Sequence, residues 1–109
     1  MADYKKLLVA LEAWPSKELI AGYFITMSGL RCAAGACNPH TRGSQVRNRA
    51  YAEFGVDDAD MAALTGANDG YMNPDCATAN NHGHNSCADC RKARYRHMVG
   101  WLRAKAESQ

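Results

Sequence analysis

The sequence predicts a helix-rich α+β fold: one small domain over residues 1–109, with a two-stranded hairpin, a zinc-organised loop at 75–90 and a long C-terminal helix. Three observations lead there. Apolar residues recur at helical spacing behind residues that cap helices. One run, Leu19 to Met27, is instead rich in β-branched and aromatic side chains. Finally, residues 75–90 hold three cysteines and two histidines with almost no large apolar side chain. At 109 residues the chain has room for a single core. Much of its 47% hydrophobic content is alanine, which buries little area, so a metal clip would usefully reinforce it.

Asp3 can cap a first helix in which Tyr4, Leu7, Leu8 and Leu11 share a face, and Pro15 ends it by disfavouring helical geometry at Trp14. Leu19–Met27 reads as a strand, Ser28-Gly29 as a tight turn, and Leu30–Cys32 as a short returning strand. A helix over 16–27 is the competing reading, since Gly22 is its only break. Ala33–Cys37 opens a small, closely packed helix that Asn38-Pro39 stops. Ser44 can cap a helix carrying Val46, Ala50, Tyr51 and Phe54, with Gly55 suited to its left-handed C-terminal position. Asp57 or Asp58 caps a short helix with Met61, Ala62 and Leu64 inside, closed by Gly66, and Asn68-Asp69-Gly70 reads as a turn. From Ala88 to Ala106, the residues Ala88, Tyr95, Val99, Leu102 and Ala106 fall on one helical face with Met98 beside them. Lys92, Arg96 and Arg103 line one flank of that face, and Arg94 and Lys105 the other.

The segment from Asp75 to Cys90 carries the chemistry. Thiolate sulfur and imidazole nitrogen are preferred zinc ligands, and four of them close a tetrahedral structural site. The expected set is Cys76, Cys87, Cys90 and His82, with His84 as the alternative to His82, because histidines one residue apart are awkward on one ion. Cys87-x-x-Cys90 falls at the start of the last helix, where free backbone N–H groups stabilise thiolates. Four protein ligands leave no position for water, so the Zn²⁺ would be structural; iron is the competing metal. Five cysteines is an odd number, so disulfides within one chain cannot use them all.

Charge is unevenly placed. Residues 1–54 hold seven Lys/Arg against four Asp/Glu, residues 55–87 none against five, and residues 88–109 six against two. Arg42, Arg47 and Arg49 form one basic patch, and Lys92, Arg96 and Arg103 a second, which together could meet a partner protein or nucleic acid. A solvated helix face carries such charges in any case. No stretch reaches the roughly 18 apolar residues of a membrane span. The first residues lack the pattern of a signal peptide, so a cytoplasmic protein without a membrane partner is expected.

Cys32 is a candidate nucleophile, because a cysteine beside an arginine at a helix start can have a lowered pKa. His40 or a loop histidine could serve as its base, oriented by Asn68 or Asp69. This would make the chain a cysteine hydrolase or transferase. The bland alternative, a small buried apolar residue, is preferred, and the chain is read as a non-enzyme.

The block Gly29-Leu-Arg-Cys32-Ala33-Ala34-Gly35-Ala36, the later Asn68-Asp69 and the amphipathic closing helix resemble a set of small phage and bacterial proteins over about half of the chain. The Cys76–Cys90 segment lies outside that pattern. The resemblance implies a phage or mobile-element origin and carries no catalytic residues over. It also implies a mode of action: binding and blocking a larger host protein or protein–nucleic-acid complex, such as a CRISPR nuclease complex.

Overall fold

The computed structural model describes residues 2–76 and 85–109. Five α-helices follow one another: α1 Tyr4–Glu12, α2 Ala33–Cys37, α3 Val46–Phe54, α4 Asp58–Gly70 and α5 Ala88–Glu107, with one 3-10 turn, Gly43–Gln45, leading into α3. There is no strand among the described residues. The fold is all-α, which corrects the expected α+β class and its hairpin.

The hairpin reduces to one antiparallel bridge, Ile25 to Arg31. Its sequence signals are real, but other partners take the backbone first. Asn85 Oδ1 accepts from Ala21 N–H at 2.8 Å and Asp69 Oδ1 from Gly22 N–H at 3.0 Å. Gly22 and Gly29 each turn the chain at a φ of 86°, a left-handed value that glycine adopts without strain. On the returning side α2 begins at Ala33, so the chain turns helical before a ladder can extend.

Local signals succeed where the chain itself satisfies them. Asp3 caps α1 through Lys6 N–H, and Asp57 and Asp60 form a reciprocal capping box on α4. Gly55 closes α3 at a φ of 67°. Two expected boundaries move. Ser44 makes no capping bond to α3, because the 3-10 turn precedes it. The α4 helix runs through Gly66 to Gly70, so the expected Asn68-Asp69-Gly70 turn is helical. Gly66 faces open space, and helix interiors tolerate such a glycine at about 1 kcal/mol.

Every residue of α2 is buried, at the centre of a core built from Leu7 and Leu11 of α1, Val46 of α3, Met61 and Leu64 of α4, and Met98 and Leu102 of α5. Small side chains let α2 lie there. A Cβ on Gly35 would stand 2.0 Å from the Phe24 carbonyl oxygen, so only glycine fits. The Arg31 guanidinium closes the far end of α2: its Nη1 donates to the carbonyls of Gly35, Asn38 and Thr41 at 3.2, 3.3 and 3.2 Å. Burial in α5 follows Cys90, Arg94, Met98, Leu102 and Ala106, a stripe rotated from the expected face. Tyr95 and Val99 are half-buried and Ala88 is exposed. No described helix is long and apolar enough to cross a membrane.

Candidate metal centre

Two elements bring three of the expected ligands together. Cys87 is the N-cap of α5 in extended backbone, and Cys90 follows one turn into the helix, buried. Cys76 arrives from the turn after α4. The Sγ atoms of Cys76, Cys87 and Cys90 lie within 4.8 Å of one another and could hold a metal ion. Zn–S bonds of about 2.3 Å set sulfur–sulfur edges of about 3.8 Å, so a tightening of about 1 Å closes the set. His82 and His84 lie outside the described residues.

Asn73, which the spacing argument missed, builds the Cys76 corner. Its side-chain oxygen accepts from Asp75 N–H at 3.1 Å and its carbonyl from Cys76 N–H at 3.3 Å. Its Nδ2 donates to Cys90 Sγ at 3.8 Å, a contact that favours thiolate. The available signal was Asn73-Pro74-Asp75, a turn sequence directly ahead of the first cysteine. Asn85 clamps the other end. Its amide exchanges two hydrogen bonds with the backbone of Ala21, at 2.8 and 2.9 Å. Its carbonyl accepts from Arg91 Nη1 at 2.9 Å, while Arg91 Nε pairs with Glu18 at 2.8 Å.

Burial pushes the Cys90 thiol up to about 11, and hydrogen bonds shared with Cys76 and Cys87 push the same way; the Asn73 donor opposes them. Three close sulfurs in a half-buried corner gain from a cation, because coordination deprotonates a thiol outright.

Cys32 sits in the opposite environment. Burial pushes its thiol up to about 11, and the Asp69 charge adds to the rise. The neighbouring Arg31 guanidinium is directed at the carbonyls that end α2. The small cavity beside Cys32 is lined by Gly22, Tyr23, Phe24, Thr65 and Asp69, with no histidine among the described residues. Asn68 and Asp69, expected as orienters of a base, fasten backbone. Asn68 is fully buried, accepts from Ala33 N–H at 3.0 Å and donates to the Ile20 carbonyl at 2.8 Å.

The basic residues do not form one field. Arg47 pairs with Asp58 at 3.7 Å, Arg49 with Glu53 at 3.2 Å and Arg103 with Glu12 at 3.8 Å. Lys92 and Arg96 share a depression with Asn73, Cys76 and the carboxylates Asp75 and Asp89. Arg94, expected on a polar flank, is 2% exposed and ties α5 to the end of α4, donating to the carbonyls of Asn68 and Tyr71, each at 2.8 Å. No family model matches the chain, and no curated protein or solved structure is similar to it.

Proposed function

We propose that this chain is a small binding protein whose C-terminal half is organised by a structural zinc ion held by Cys76, Cys87, Cys90 and one of His82 and His84. The observation that carries the proposal is the convergence of three sulfurs, one from the turn after α4 and two from the start of α5, to within 4.8 Å. Two soft ligands at a helix start plus one from a preceding turn is a donor set that suits zinc ahead of the harder divalent ions. A fourth protein ligand leaves no place for water, so the ion would hold the fold and leave chemistry to none of its ligands. Insulation of Cys32 favours association over covalent catalysis.

The resemblance to phage and bacterial proteins directs the search for a partner to host defence complexes, and that step rests on the resemblance alone. A nucleic-acid partner is the weaker reading, because acidic residues interleave both basic patches. It would require affinity that falls steeply with salt and with neutralisation of Lys92 and Arg96.

Elemental analysis of purified protein tests the site. One zinc per chain is expected, and Cys90→Ser should lose it together with much of the thermal stability. Metal-free protein whose melting temperature is unchanged by strong chelator would refute the site. A stoichiometric complex recovered from host lysate and resolved by sizing tests the binding reading.

A further inference from the structure

The Ile25–Arg31 bridge leaves an open edge. Its two bonds run from Thr26 N–H to the Leu30 carbonyl, at 2.8 Å, and from Cys32 N–H to the Phe24 carbonyl, at 3.3 Å. In that pattern the amide and carbonyl of the two bridging residues point away from each other. Arg31 uses its outer side, where its carbonyl accepts from Ile20 N–H at 3.1 Å. Ile25 does not: among the described residues neither its N–H nor its carbonyl has a hydrogen-bond partner. The bridge is a single residue pair, with a bend at Phe24 before it and a turn at Met27 after it, so Tyr23 and Met27 flank Ile25 along the chain. Tyr23 is 65% exposed and Met27 fully so. Proteins ordinarily blunt such an edge with lysine or proline, and this one has neither.

The surroundings select an occupant. Beside the edge runs a groove lined by Ile25, Pro39, His40, Thr41, Arg42 and Gly43. From Leu19 to Ala52 the chain carries no Asp or Glu but four arginines. Arg31 is directed at carbonyls, and Arg47 and Arg49 have carboxylate partners. Arg42 is exposed and forms no ion pair among the described residues. An amide and carbonyl available on one residue, exposed apolar side chains on either side of it and a cation at the rim are features that receive an added strand.

We propose that the Ile25 edge docks an extended, acidic segment of a partner protein, which pairs with Ile25 as a strand, lays apolar side chains on Tyr23 and Met27 and sets a carboxylate on Arg42. The proposal rests on the reading of the chain as a binding protein and names the chemistry of what it binds. Nucleic acid fits less well, since it would call on several cations and leave the exposed Tyr23 and Met27 unused.

A random dodecapeptide library displayed on phage, selected against the metal-loaded full chain, supplies the probe. Enriched peptides would be synthesised and titrated by fluorescence anisotropy. Acidic residues alternating with apolar ones are expected. Ile25→Pro removes the outward amide and spares both bridge bonds, a change that edge strands tolerate, and should weaken binding about tenfold. Arg42→Glu should weaken it several-fold at low salt and less at high salt. Met27→Asp, at a fully exposed position, should also weaken it and covers the case in which the proline variant fails to fold.

No enrichment, or peptides whose affinity all three variants retain, would overturn the proposal. So would a concentration-dependent dimer abolished by Met27→Asp, which makes a second copy the occupant. Oligonucleotide binding lost in Arg42→Glu and retained in Met27→Asp would give the face to nucleic acid. A lysate complex that forms normally in every variant sinks the edge but leaves the binding reading standing; absence of any complex removes both.

Discussion

Replacing Gly35 with alanine should be among the most damaging single-methyl additions this chain can receive. The new Cβ would meet the Phe24 carbonyl oxygen at 2.0 Å, its carbon at 3.0 Å and the Arg31 Cβ at 3.2 Å. The first contact is more than 1 Å inside van der Waals separation. The obstruction is backbone, so no rotamer change relieves it. Either α2 lifts from the centre of the core or the Phe24 segment moves outward. Outward movement breaks the 3.3 Å bond from Cys32 N–H to the Phe24 carbonyl and disturbs the Thr26–Leu30 pair beside it. Overpacking costs about 1–3 kcal/mol. One or two lost hydrogen bonds add about 1 kcal/mol each. A loss of about 3 kcal/mol is a large fraction of a small domain's stability and would lower Tm by about 15 °C. Gly66→Ala is the control, because it adds the same methyl in the middle of α4 with nothing within 4 Å. It should stabilise by about 1 kcal/mol through helix propensity. Urea and thermal melts of the two variants with metal bound make the comparison. If Gly35→Ala melted with Gly66→Ala, above the parent, the close approach of α2 to Phe24 would be wrong.

Three further outcomes follow from the same contacts. Asn68→Ala strands the Ala33 amide and the Ile20 carbonyl inside the protein and should cost about 3 kcal/mol in urea denaturation, whereas Asp69→Ala, which releases the exposed Gly22 amide and one bond from an Asn68 amide that keeps the Ile20 carbonyl, should cost less. Burial holds Cys32 at about 11 and Cys37 at about 12, above the ordinary 9.0. Their neutral forms therefore favour the fold fully below pH 9, and this contribution is lost as pH rises to 11–12, so the urea midpoint should fall over that window and fall less in Cys32→Ala. At pH 8 iodoacetamide should label Cys32 and Cys37 only after unfolding, as mass spectrometry of timed samples would show; rapid native labelling of Cys32 would revive the nucleophile reading.

The helices were readable where the chain announces them locally. Asp3, Asp57 and Gly55 act on their own neighbours, and the structure uses each as expected. The hairpin failed although its β-branched run and Ser28-Gly29 turn are present, because Asn85 and Asp69 take the backbone of Ala21 and Gly22 from far along the chain. Arg94 failed for a related reason. Charge predicts a solvated flank, but the carbonyls of Asn68 and Tyr71 supply partners that make burial tolerable.

At the candidate metal centre, cysteine type and spacing named three ligands that the fold brings together, whereas Asn73 emerged only from the geometry. Sequence alone determined the Asp3, Asp57 and Gly55 caps, the closely packed Ala33–Cys37 block, the long last helix and the sulfur-rich segment, since each depends on residue type and near neighbours. Tertiary structure decided that the chain is all-α, that Arg94 and Asn68 are internal, that Cys32 is insulated and that Ile25 keeps an open edge. Those outcomes depend on which distant groups reach a backbone amide or carbonyl first, a competition between partners that proximity along the chain does not reveal.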